Sequence, residues 1–188
     1  MKIILSILLA FSLAFGVEIN EIKDDVAKRV ENSIKILNDK SLDENAKQNA
    51  VVAQFDPIFD YELMAKISLG FKNYDALNKE EQSAYVKNFS QMLKRIYASR
   101  LKDYTDEEFI IDSLEQPKPQ RAVLNAHLQS KGKRYDVTYK YYNANERGWL
   151  VYDVEIVGVS IVQTYKGQFA DVLKNGGINA VIEALKAQ

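Results

Sequence analysis

The chain has no cysteine in its 188 residues. That excludes disulfides, thiolate metal sites, a cysteine nucleophile and a lipidated cysteine. Its single histidine, His127, excludes a multi-histidine metal centre. Charge of one sign is missing too: 25 Lys and Arg stand against 26 Asp and Glu, for a net charge of −1. Both signs are interspersed, so no basic field exists to attract nucleic acid. No P-loop, dinucleotide-binding glycine pattern or EF-hand is present. Prolines are few, three in all, and there is no low-complexity tract, internal repeat or long linker.

Long hydrophobic runs are nearly absent as well. The main one is Ile3 to Phe15, which at helical rise covers about 20 Å, short of the ~30 Å hydrocarbon core. Lys2 precedes it, and Ala14-Phe15-Gly16 follows with small residues at the positions a signal peptidase reads. The expectation is a leader over residues 1–16, a mature chain from Val17 and a net charge of −2 without Lys2. A leader with no anchor implies a soluble periplasmic protein. With 47% apolar residues, the remainder has the material for one substantial core.

Helical periodicity dominates the first half. Ile19, Ile22, Val26, Val30, Ile34 and Leu37 form one stripe, which predicts a helix over Val17 to Asn38. A second helix is expected over Asp43 to Gln54. Asp56-Pro57 then reads as N-cap and N1 of a third, running to Leu69-Gly70. Asn78 with Glu81 forms a capping box for the longest helix, Lys79 to about Asp103, striped by Tyr85, Phe89, Met92, Leu93, Ile96 and Tyr97.

Near Thr105 the period changes from helical to alternating. Phe109 to Leu114 reads as a short strand closed by Pro117 and Pro119, and Arg121 to Gln129 as a second strand with Ala122, Leu124, Ala126 and Leu128 on one side. Lys131-Gly132 is a hairpin turn. The next strand places Tyr135, Val137, Tyr139 and Tyr141 on one face. A fourth, from Trp149, places Leu150, Tyr152, Val154 and Ile156 on the inner face, with Trp149, Val151, Asp153 and Glu155 outward. Gly158 and Ser160 break the strand, and Ser160 caps a helix carrying Ile161, Val162, Tyr165 and Phe169. After Gly176-Gly177 a last helix runs from Ile178 to Lys186. Helices, about four antiparallel strands and helices again make an α+β layout, a sheet covered by helices on one face.

The stretch Trp149 to Phe169 resembles the W-x-V-Y-D-V-x-x-x-G-V-S-x-V-x-x-Y-x-x-Q-F signature of the MlaC, or toluene-tolerance, family of periplasmic phospholipid carriers. Leu69-Gly70-Phe71, Asn78 through Gln82, Phe89, Leu93, Tyr97 and Tyr104 also match the family's pattern. Two departures stand out. Leu77-Asn78 replaces a frequent Thr-Pro and keeps a cap, whereas Lys166 replaces a frequent arginine and loses its bidentate donor. The resemblance implies an NTF2-like curved sheet wrapped by helices, with an N-terminal helical part (17–104) and a sheet with closing helices (105–188), enclosing an apolar cavity within one lipid-binding domain (17–188). It implies no catalysis, no metal and no cofactor beyond phospholipid as cargo. It also implies two partners, the outer-membrane MlaA–porin complex and the inner-membrane MlaFEDB ABC transporter, and a monomer that serves to maintain outer-membrane lipid asymmetry.

Tyrosine is abundant, with eleven residues, and tyrosines on an inner face suit a wall that is apolar in body and polar at its mouth. The expected pocket is Val137, Tyr139, Leu150, Tyr152 and Val154 from the sheet, facing Met64, Met92 and Ile96 from the helices and Val162 and Phe169 from the closing segment. His127 by alternation lies on the opposite face and reads as a solvated or locally bonded strand residue. Asp153 reads as structural. Lys131, Lys133 and Arg134 form a solvated hairpin or, alternatively, a phosphate-facing rim. A non-catalytic adaptor or chaperone would instead have a filled core. An NTF2-like enzyme would need His127 or an acid inside the pocket.

Overall fold

A computed structural model of the protein describes residues 16–101 and 107–187. Apart from Gly16, the expected leader lies outside the described residues, as does Tyr104. The first helix, α1 (Ile22–Leu37), follows a 3-10 turn over Ile19–Glu21, and α2 (Glu44–Phe55) starts at Asp43, whose side chain accepts from Ala46 N–H. α3 (Tyr61–Leu69), the short α4 (Phe71–Asp75) and the long α5 (Lys79–Arg100) follow. At α5 both halves of the capping box are made: Asn78 accepts from Glu81 N–H and Glu81 accepts from Asn78 N–H, each at 2.9 Å.

The second half is an antiparallel meander of five strands, not four, in the order β1 (Glu108–Lys118), β2 (Arg121–Ser130), β3 (Lys133–Asn143), β4 (Trp149–Ile156), β5 (Val159–Ser160). The fifth is a two-residue edge formed where the sequence shows only a corner. β1 runs on through Pro117, which an edge strand tolerates because its outer N–H groups have no ladder to serve. α6 (Ile161–Ala187) closes the chain and is broken at Gly177, where φ is 68°, a conformation glycine adopts without steric cost.

Asp56-Pro57 starts only a 3-10 turn, Asp56–Ile58. Phe59 then becomes extended to bridge Val151 of β4, so the cap of α3 moves to Asp60. The larger correction concerns β4. Lys140 pairs with Asp153, but the next residue, Tyr141, pairs with Val151. Tyr152 is therefore an extra residue, a bulge that shifts the strand by one and reverses its parity beyond that point. Val151 and Trp149 turn to the face of Val154, Val137 and Tyr141 and join the core there. Leu150 goes to the other face, in register with Tyr142.

Two apolar cores result. One lies between α1 and the sheet, built from Ile22, Val26, Leu124, Val137, Tyr141, Val151 and Val154. The other is all helical, built from α3, α4, α5 and α6 around Met64, Tyr85, Phe89, Met92 and Phe169. Phe59 and Ile161 pack against both.

The β4–β5 turn carries backbone strain. Val157 has φ 51° and Gly158 φ 77°, a two-residue turn of the kind Asn-Gly favours, and a β-branched residue resists positive φ. Replacing exposed Val157 with Asn is expected to relieve about 1 kcal/mol and raise Tm by roughly 2–4 °C. A calorimetric scan in which Val157→Asn melts no higher than the parent would show that the turn is unstrained.

Candidate functional site

The ten pocket residues expected from the sequence fall into three groups. Met64, Met92, Val162 and Phe169 belong to the helical core, and Ile96 packs half-buried against it. Val137 and Val154 belong to the sheet core, with Tyr139 beside them. Leu150 and Tyr152, which the period-two reading places inward, lie on the opposite face because of the bulge. There the Tyr152 ring stands 6.1 Å from that of Tyr142, and the Arg121 guanidinium lies over it at 5.2 Å. Val151, expected outward, has 0% exposed surface.

The two cores meet at a cluster of phenols. Tyr97 of α5 lies close enough to Tyr139 of β3, Tyr165 of α6 and the Asp153 carboxylate for each to act on its ionisation. Burial raises all three phenols above the ordinary value, Tyr139 to about 12. Yet each of the three keeps part of its surface. None of their hydroxyls has a hydrogen-bond partner among the described residues. Three part-buried phenols, with no hydrogen-bond partner for their hydroxyls among the described residues, therefore stand where the two cores meet. Tyr97 and Tyr165 are visible in the sequence as members of helical stripes, but their convergence on Tyr139 is a tertiary event with no local signal.

By contrast, Met64 and Met92 have 0% exposed surface and act as core in this arrangement. Tyr85 shares that core with its hydroxyl bonded to Ser68 Oγ at 2.8 Å, as a satisfied interior tyrosine should be.

Asp153 locks β4 to α6. Its carboxylate accepts from Ser160 Oγ at 2.8 Å, from Val162 N–H at 3.3 Å and from Lys140 Nζ at 3.3 Å. Ser160 in turn caps the helix by accepting from Gln163 N–H at 3.2 Å. The role is structural, as the sequence reading has it. His127 lies on the face away from the sheet core, buried, with Nδ1 2.9 Å from Asp112 Oδ2. Arg134 reaches the same carboxylate oxygen at 3.0 Å and Asp136 at 2.6 Å. The pair lies on the sheet face opposite Leu124, Val137 and Val154.

A second polar cluster, with no sequence motif to announce it, ties the helices to the sheet. Asp60 is 6% exposed. It caps α3 through Leu63 N–H at 2.9 Å and accepts from the Tyr142 hydroxyl and from Arg147 at 2.8 Å. Its own N–H donates to Val151 O at 2.9 Å. Burial pulls the carboxyl upward, but those three donors outweigh it and hold Asp60 below its ordinary range. Arg147 also borders an open cleft of about 550 Å³ that includes Phe59, Trp149 and Leu150. Among the described residues, no group of three or more acidic or histidine side chains is placed to hold a metal ion, and no helix is long and apolar enough to cross a membrane.

Comparison with known proteins places this architecture. The sequence model of the MlaC protein family matches residues 27–187. Over 134 residues the chain is 24% identical to the toluene tolerance protein ttg2D of Pseudomonas putida, an overlap of 71% of this chain and 62% of that protein. Over 118 residues it is 25% identical to the intermembrane phospholipid transport system binding protein MlaC of Haemophilus influenzae, covering 60% of this chain and 55% of that one. Both overlaps span less than two thirds of the relative. Among solved structures, the phospholipid-binding protein of Ralstonia solanacearum, determined in complex with a phospholipid, shares the fold with a TM-score of 0.76 at 24% identity. That match covers 87% of this chain and 94% of the other.

Proposed function

The chain belongs to the MlaC family, and on that basis we propose that it is a soluble periplasmic phospholipid carrier, made with a leader over residues 1–16 and working as one lipid-binding domain over 17–188. The observation that carries this reading is the junction of Tyr97, Tyr139 and Tyr165, part-buried phenols between two apolar cores whose hydroxyls have no partner among the described residues. Acyl chains enter there, between Val137, Tyr139 and Val154 of the sheet and Ile96, Val162 and Phe169 of the helices. Met64 and Met92 form the floor once the helices move apart. Leu150 and Tyr152 lie on the other side of the sheet and contribute only if the sheet edge reorganises.

The physical need for a carrier is large. Two acyl chains with about 30 methylenes, at ~0.8 kcal/mol each, put roughly 24 kcal/mol between bilayer and water. A dry pocket removes most of that barrier without chemistry, so no catalytic group is required. In the route we propose, the chain exchanges lipid with an outer-membrane MlaA–porin complex and an inner-membrane MlaFEDB transporter. Direction and energy come from the transporter, because a carrier without a nucleotide site only equilibrates lipid. Opening uses the backbone freedom at Gly158 and at Gly176-Gly177.

One observation favours the adaptor reading: Met64 and Met92 are completely covered, as in a filled core. Native mass spectrometry with lipid extraction, on protein never exposed to detergent, separates the two. Diacyl phospholipid at close to one per chain is the expected result. Protein that is folded and lipid-free would leave the adaptor.

A further inference from the structure

α2 lies against α1 and α5, and Val51 and Gln48 are the two residues it buries. Gln48 is only 8% exposed, and its side-chain Nε2 has no hydrogen-bond partner among the described residues. A buried amide left unpaired is costly, and an apolar residue at this position would avoid that cost. An orphan donor at a helix–helix boundary therefore points to an acceptor that the described residues do not supply.

The surroundings indicate which kind of acceptor. Gln48 lines an open cleft of about 320 Å³ between α2 and α5, with Val52 and Ala98 as its apolar wall and Lys94 and Arg95 as its charged side. Lys94 is held elsewhere, 2.5 Å from Asp56 and over the Tyr61 ring at 4.9 Å. Arg95 donates one N–H to the Leu185 carbonyl at 2.7 Å and meets no carboxylate among the described residues. Ser99 spends its hydroxyl proton on Ile96 O at 2.7 Å. Among the described residues the cleft thus offers one guanidinium that meets no carboxylate, with donors to spare, and Gln48 in its lining, whose unpaired amide is covered in this arrangement. No carboxylate among the described residues lines it, which disfavours a cation. A planar guanidinium and an amide donor together suit a tetrahedral oxyanion with several acceptor oxygens.

We propose that the α2–α5 cleft is a binding site for a phosphate group, with Arg95 and the Gln48 amide as its donors. The phosphate is either free or the headgroup of a bound phospholipid. The second source rests on the carrier reading above, and the first does not.

The test uses the mature chain, stripped of lipid, titrated with inorganic phosphate at constant ionic strength and followed by the NMR signals of the Gln48 side-chain amide. A saturable shift is expected with phosphate and not with chloride. Gln48→Leu and Arg95→Gln should each weaken phosphate binding tenfold or more, with circular dichroism unchanged. Gln48→Leu should also melt higher than the parent, because it removes the orphan donor. Phosphate affinity equal in parent and both variants, or a shift matched by chloride, overturns the site and leaves the amide to a buried water.

Lipid content of the same variants, purified without detergent, identifies the source. A fall in both assigns the headgroup, whereas full lipid with lost phosphate binding assigns free phosphate. Either result upholds the site. If the parent itself carries no phospholipid but the variants still lose phosphate, the carrier reading fails and the cleft stands.

Discussion

Glutamate at Val151 will unfold the protein, whereas glutamate at Tyr139 will leave it folded and without lipid. Val151 has 0% exposed surface. It pairs with Tyr141, bridges Phe59, and its carbonyl accepts the Asp60 N–H. No cation of the described residues bonds to that part of the sheet core, so a carboxylate placed there is buried and unpaired, at a cost of about 3–5 kcal/mol. Against a typical total stability of about 5–15 kcal/mol, that removes most of the margin. Tyr139 is different because it is only part-buried. A glutamate there can keep water or protonate, so stability falls far less, while acyl chains lose an apolar wall. Urea denaturation followed by circular dichroism, with lipid extraction of whatever remains folded, reads both effects. A cooperative, lipid-loaded Val151→Glu would mean that the bulge at Tyr152 is absent and the strand parity uninterrupted. A Tyr139→Glu protein with its full complement of lipid would remove the tyrosine junction from the lipid site.

What the sequence reveals and what it hides divide along the range of the interaction. The Asn78–Glu81 capping box and the Ser160 cap are legible because each is satisfied within four residues of itself. The face of β3 is legible too: Val137, Tyr139 and Tyr141 pair with Ala126, Leu124 and Ala122 as alternation requires. The inward face of β4 is not, because the bulge is set by register with β3, and nothing in Trp149 to Ile156 marks Tyr152 as the extra residue. Asp56-Pro57 is a genuine local start signal that loses to a distant partner: Phe59 extends to meet Val151, and the helix waits until Tyr61. At the candidate site, Met64, Met92, Val162 and Phe169 are visible as helical stripes, but a stripe does not tell a wall from a core. Tyr97 and Tyr165 become site candidates only when three elements bring their phenols to Tyr139. Gln48 sits in a helix with little apolar patterning, where a glutamine reads as surface.

Asp60→Asn is expected to be the most damaging conservative change, and its effect should depend on pH. The asparagine can still cap α3, since Asn serves as well as Asp at that position. What it loses is the charge that draws the Tyr142 hydroxyl and the Arg147 guanidinium onto one carboxylate. Hydrogen bonds to a charged group contribute about 1.5–3 kcal/mol, so a loss of about 2–3 kcal/mol is expected at neutral pH. The sign of the pH dependence follows from the depressed carboxyl. A group whose folded pKa lies below its unfolded value stabilises above the unfolded pKa, about 3.9 for Asp, and loses that contribution as pH falls through the folded value. The gap between parent and Asp60→Asn should therefore be constant above about pH 5 and narrow below about pH 4. Tyr142, pushed up to about 12 by burial and by Asp60, stays protonated throughout that window and adds no pH dependence of its own. Urea midpoints measured at pH 7, 5, 4 and 3 (roughly the span of the Asp titration) test this directly. A gap of the same size at pH 3 and pH 7 would mean that the Asp60 charge does not hold α3 to the sheet, and that shape alone joins the two cores.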